Sequence, residues 1–258
     1  MGEIASLDKQ GRYDRAVVVA KKALQVAEQS WPNHTPVATS LGVLARMYDA
    51  QGQYAQAEPL LKRALAIYEK ALGPIHPNVA LCLNNLAELY DNQGQYAQAE
   101  LLYKRSLAIR ERALGPDHPD VAKSLNNLAM QYKIKGQYAQ AEPLYKRSLA
   151  IREKALGPDH PDVAGSLNNL AQLYDTKGQY AQAEPLFKRA LAIREKALGP
   201  NHPDVASSLN NLAELYRVQG QYEQAEPLHL RSLAIRGESL GPDHPDVATS
   251  MSKLALLY

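Results

Sequence analysis

The stretch DVAKSLNNLAMQYKIK, residues 120–135, decides how the rest of the chain is read. At 100° per residue, Leu125, Leu128, Ala129 and Tyr132 share an arc of about 100°, the width of a core-facing stripe on an amphipathic helix. Gly136 breaks the pattern, and a second helix is expected from near Ala139. Ala141, Leu144, Tyr145, Ser148, Leu149 and Ile151 share one side of it. Glu142 and Lys146 stand i,i+4 on its wet side, in the favourable order. Pro143 falls in the early turns, where it removes at most a bond or two. Gly157 suits a left-handed helix end, with Pro158 blocking continuation. In DHPD, either Asp159 or His160 can cap the next helix, and Pro161 is pre-set for its first turn.

This helix pair recurs along the chain. Gly52, Gly94, Gly136, Gly178 and Gly220 each open a GQY triplet at a spacing of 42 residues. Gly73-Pro74, Gly115-Pro116, Gly157-Pro158, Gly199-Pro200 and Gly241-Pro242 keep the same period. Residues 115–156 and 157–198 differ at only seven positions, so they are copies of one unit. A fixed period of this size marks a solenoid, in which each unit buries its face against its neighbours. The expected organisation is one solenoid over residues 1–258. A partial unit covers 1–35, repeats cover about 36–77, 78–119, 120–161, 162–203 and 204–245, and a half-repeat covers 246–258. The first unit is irregular: Gly11 lies 41 residues before Gly52, and Trp31-Pro32 stands in place of Gly-Pro.

The order Leu125-x2-Leu128-Ala129-x2-Tyr132, then Gly136 and Tyr138, then Ala141-x3-Tyr145, resembles the tetratricopeptide repeat (TPR). The usual TPR period is 34. The longer form here is similar to the repeats of kinesin light chains and their bacterial relatives. A period near 42 also fits HEAT or armadillo repeats, but the Leu-x2-Leu-Ala-x2-Tyr order favours the TPR. The resemblance implies an all-α, right-handed superhelical solenoid of antiparallel helix pairs, with first helices lining a concave groove.

The paired asparagines are the main functional clue. Asn84-Asn85, Asn126-Asn127, Asn168-Asn169 and Asn210-Asn211 sit inside first helices, where Asn costs up to roughly 0.7 kcal/mol relative to Ala. On the wheel, Lys123, Asn126, Asn127, Met130, Lys133 and Ile134 lie opposite the Leu/Ala/Tyr stripe. Four of the seven differences between the two near-identical units fall on that side, while the asparagines stay constant. The resemblance implies that such asparagines hydrogen-bond the backbone of an extended peptide, with their neighbours selecting its side chains. A second reading has them bonding across to the next repeat, and a third has them persisting only from recent duplication.

On the first reading the peptide-binding residues are Asn84, Asn85, Lys123, Asn126, Asn127, Met130, Lys133, Asn168, Asn169, Asn210, Asn211 and Arg217. The irregular unit contributes Thr39, Gly42, Arg46 and Asp49. Met130 and Ile134 beside Lys123 and Lys133 would suit an acidic and apolar segment. The resemblance to kinesin light chains implies an acidic ligand carrying an aromatic residue, which Glu88 and Asp91 would oppose.

Composition narrows the remaining classes. The 258 residues carry a formal net charge of +2, without the basic excess of a nucleic-acid binder. No apolar run approaches a membrane span, and the first residues lack a signal-peptide core. A single cysteine, Cys82, fits a cytoplasmic protein. His76, His118, His160, His202 and His244 recur with the period. Equivalent residues of successive repeats stand at least about 8–10 Å apart, too far to share one metal, so loop capping is their expected role. His229 replaces Tyr145 or Phe187 of other units and is expected to be a half-buried packing variant. Tyr48, Tyr90, Tyr132, Tyr174 and Tyr216 are expected to pack with their hydroxyls at the rim.

No phosphate loop, nucleophile constellation or carboxylate pair is present, so neither an enzyme nor a cofactor is expected. Leu254 to Leu257 would form an open apolar end capable of end-to-end self-association. The expected function is a non-enzymatic protein–protein interaction scaffold that binds an extended peptide in the groove. The alternative is a structural spacer or self-associating array, and an RNA-binding array is disfavoured by the mixed charges of the groove.

Overall fold

The computed structural model describes residues 2–9, 12–241 and 244–255. The residues Gly11, Pro242 and 256–258 of the repeat and open-end readings lie outside them. The described residues form thirteen helices: α1 (Gly2–Lys9), α2 (Tyr13–Ser30), α3 (Thr35–Ala50), α4 (Tyr54–Leu72), α5 (Pro77–Asn92), α6 (Tyr96–Leu114), α7 (Pro119–Ile134), α8 (Tyr138–Leu156), α9 (Pro161–Thr176), α10 (Tyr180–Leu198), α11 (Pro203–Val218), α12 (Tyr222–Leu240) and α13 (Pro245–Ala255). No strand occurs among them. Two compact units are present, residues 1–131 and 132–258. In the first, α1 to α5 each pack on the next helix, up to α6. In the second, α8 to α12 each do so, up to α13.

Local sequence explains the helix ends. The first helices α5, α7, α9, α11 and α13 start at a proline whose preceding histidine caps them, whereas α3 starts at Thr35 and His34 makes no side-chain cap bond. The Nδ1 of His76, His118, His160, His202 and His244 each accepts the backbone N–H two residues on, at 3.1 Å. Histidine, not Asp159, is therefore the cap. Second helices end at glycines such as Gly157, whose φ of +87° is positive as expected. Its ψ of 156° is extended, however, so the chain leaves along the mirror-β region instead of curling into a left-handed turn.

The core forms where the stripes predict. Leu125, Leu128, Ala129 and Tyr132 are buried, as are Ala141, Tyr145, Ser148 and Ile151 on α8. The periodic tyrosines are buried with hydroxyls at the edge. Tyr90, Tyr174 and Tyr216 donate to Glu58, Glu142 and Glu184 at 3.0, 3.2 and 3.0 Å. Glu142 also takes Lys146 at 2.8 Å and Lys177 at 2.7 Å. The two ammonium groups hold its carboxyl down to about 2.

One periodic tie had no counterpart in the sequence reading. Arg110, near the end of α6, is buried and donates through Nη1 to the Asp120 carbonyl at 3.1 Å and to Ser124 Oγ at 2.8 Å. In the second unit, Arg152, Arg194 and Arg236 repeat this with Ser166, Ser208 and Ser250 at 2.8, 2.8 and 2.7 Å. Each arginine fastens the end of a second helix to the start of the next first helix. The sequence signal was available, since Arg and Ser recur together fourteen residues apart.

Candidate functional site

The asparagines are not a row of solvated hooks. Asn84, Asn168 and Asn210 are buried, which corrects their placement on the side away from packing. In the first unit, Asn127 Nδ2 donates to Asn84 Oδ1 at 2.9 Å and to Glu88 Oε1 at 3.0 Å. Asn84 Nδ2 in turn donates to Glu88 at 2.9 Å. In the second unit, Asn211 Nδ2 donates to Asn168 Oδ1 at 2.8 Å. The second asparagine of one repeat thus reaches the first asparagine of the repeat before it, 43 residues back. The reason is geometric. A first helix in a tandem array has neighbours on both flanks, and the positions opposite the core stripe include those flanks.

Asn126 and Asn169 are half-buried, as is Asn85. The last rung is incomplete among the described residues, with Asn210 Oδ1 buried and unpaired. Burial pushes the Glu88 carboxyl above its usual range, opposed by the amide donor of Asn84 and by Lys123.

The other expected groove residues divide. Met130 and Ile134 are exposed at 43% and 54%, and Lys123 is exposed. Lys133 is half-buried and donates to Gln172 Oε1 at 3.3 Å; burial lowers its ammonium pKa while Asp175 opposes the shift. Arg217 is chelated by Glu214, its Nε lying 3.1 and 3.0 Å from the two carboxylate oxygens. Lys133 and Arg217, both expected in the groove, are thus engaged within the chain.

The irregular unit has a different character. Between α3, α4 and α5 lies a cleft of about 360 Å³. Thr39, Gly42, Arg46, Tyr68, Leu81 and Asn85 are on its wall. Tyr68 was not anticipated from the sequence. Its Oη is 2.8 Å from Thr39 Oγ1. Cys82 borders the same cleft, but its thiol donates to the Leu61 carbonyl at 3.3 Å, and burial pushes its pKa up to about 12. A thiol so protonated is a poor nucleophile.

His229 is fully buried at 1% exposure, not half-buried, and neither ring nitrogen has a partner. Among the described residues no three His, Cys, Asp or Glu side chains gather as metal ligands, and no helix is long and apolar enough to cross a membrane.

The asparagine contacts make a direct prediction. Asn127→Ala removes two interhelical hydrogen bonds and should cost about 1–2 kcal/mol in urea unfolding. Asn85→Ala breaks no bond and should be neutral, or stabilising by up to about 0.7 kcal/mol through helix propensity. Equal effects of the two would contradict the rungs.

Comparison with known proteins agrees with this architecture. The family model for the tetratricopeptide repeat matches residues 4–70, 50–112, 83–154, 120–196, 176–236 and 204–258. Among solved structures, BtubC (BKLC) from P. vanneervenii is similar at 27% identity and a TM-score of 0.75, over 90% of this chain and 94% of that one. A putative kinesin light chain of Podospora anserina with nearly identical TPR-like repeats is similar at 32% identity and a TM-score of 0.67, over 80% and 98%. The type IV pilus biogenesis factor PilW shares the fold at 18% identity and a TM-score of 0.65, over 97% and 96%. No functionally curated protein matches the chain.

Proposed function

Since the chain belongs to the tetratricopeptide repeat family, we propose that it is a non-enzymatic cytoplasmic scaffold holding an extended segment of a partner protein along the face of its first helices. One observation carries this reading. The asparagine rungs lay α5 against α7 in the first unit and α9 against α11 in the second, so that first helices stand side by side. The outward positions of that face differ from repeat to repeat, as in Lys123, Gly165 and Ser207. A continuous face with a repeating frame and variable outward residues suits a linear ligand.

The spacer reading has its own support, because the same rungs give several asparagines a structural task. Panning the whole chain against a random peptide library displayed on phage separates the two. Enriched peptides whose binding falls with Leu81→Glu or Met130→Glu, both at exposed positions, are expected from a scaffold. Absence of any enriched peptide would overturn the scaffold and leave the spacer.

A further inference from the structure

In both units a carboxamide donates to a second carboxamide 43 residues earlier. For Asn85 the position 43 residues earlier is Gly42, which has no side chain. Asn85 makes no side-chain hydrogen bond among the described residues, and it faces the cleft. The row of rungs ends on an amide with nothing to hold.

Other departures converge on the same junction, between repeats 36–77 and 78–119. Where later junctions place the arginine of the second-helix tie, this one has Tyr68, and where they place the serine it has Cys82. Tyr68 turns to Thr39 instead of crossing to the next helix. Both ties between neighbouring repeats are thus replaced at one junction, and the cleft occupies the space. Its walls include Val43, Leu61, Leu81 and the Tyr68 ring, while Arg46, Lys123 and Glu88 carry both signs of charge around it. No single sign dominates, so a charged side chain gains little there.

We propose that this cleft is the anchoring site of the scaffold. A peptide carbonyl of the partner accepts from Asn85 Nδ2 in place of the missing carboxamide at position 42, and a bulky uncharged apolar side chain next to it fills the cleft against Leu61 and Tyr68. The ligand supplies the chemical group that every completed rung receives from the chain itself. A peptide bond is that group, and the apolar wall adds the burial energy that one hydrogen bond lacks. This rests on the scaffold reading and narrows it to one junction.

The test uses the whole chain, isotope-labelled for NMR, and N-acetyl-leucine N′-methylamide as the probe at millimolar concentration. Saturable shifts of the Asn85 side-chain NH₂ and of the Gly42 amide are expected. The glycine analogue, which lacks the side chain, should bind about fivefold to tenfold more weakly. Asn85→Ala should weaken the leucine probe by a similar factor. Gly42→Asn should do the same by completing the rung. A Cβ at position 42 meets nothing within 4 Å, so the side chain starts into open space without a clash. Asn211→Ala in the second unit should leave binding unchanged.

The absence of saturable shifts at Asn85 would overturn the proposal. So would binding that survives both Asn85→Ala and Gly42→Asn, because the cleft would then be only an apolar hole. Library peptides that bind the chain but ignore Gly42→Asn would overturn this site while sparing the scaffold. The reverse pattern, with the probe bound at Asn85 and no library peptide enriched, would support the cleft and count against the scaffold.

Discussion

Replacing His229 with phenylalanine should stabilise the second unit by about 1–3 kcal/mol near neutral pH, the penalty for a polar group buried without partners. His229 sits on α12, and the equivalent residues Tyr103 on α6, Tyr145 on α8 and Phe187 on α10 are buried to nearly the same degree. Phe187 shows that a phenyl ring fits that position in this fold. Neither imidazole nitrogen of His229 is hydrogen-bonded, so the substitution removes a desolvation cost and leaves no orphan behind.

The pH dependence gives a second, independent readout. Burial pushes the imidazole pKa below its usual value. Lys253 on α13 and Arg217 on α11 act in the same direction, and Glu214 on α11 acts against it. On acidification the unfolded chain therefore takes up the proton first, and linkage makes the fold lose stability as pH falls below about 6.5. The gap between the wild type and His229→Phe should widen from pH 8 to pH 5. Repeat arrays can unfold in parts, so amide hydrogen exchange over α11–α13 is the measurement of choice. A constant gap, or a less stable variant, would refute this account of the site.

Arg110→Ala should cost the first unit about 3 kcal/mol. Arg110 is 4% exposed and its guanidinium holds the Asp120 carbonyl and the Ser124 hydroxyl, so truncation loses two charge-assisted bonds and leaves a cavity. Burial depresses its pKa, against which Asp120 and Glu88 act. Arg110→Met fills most of the same volume and removes the buried charge together with its desolvation cost, so its loss should be nearer 1 kcal/mol. Urea unfolding of both variants checks the pair. If methionine is as damaging as alanine, the hydrogen bonds outweigh packing at this tie.

Those two sites also mark where sequence reading stopped. The Arg–Ser pair is a contact between one repeat and the next, and a helical wheel drawn for a single helix has no place for it. Its trace was still in the sequence, because Tyr68 and Cys82 replace both partners together at the junction of repeats 36–77 and 78–119. His229 was recognisable as a substituted core aromatic. Only the packing of α11, α12 and α13 around it leaves both its nitrogens without partners.

The sequence by itself determined the repeat, its period and its helix pairs. The glycine breaks, the proline starts and the Leu/Ala/Tyr stripe are local signals set by backbone sterics and 3.6-residue periodicity, which act without knowledge of the neighbours. The second helix expected near Ala139 begins at Tyr138. Tertiary structure decided what the asparagines do. Their local sequence is the same in each repeat, yet Asn127 is held by Asn84 while the position 43 residues before Asn85 is Gly42, which has no side chain to offer. That difference depends on which residue the adjoining repeat places opposite, so it exists only once the repeats are stacked.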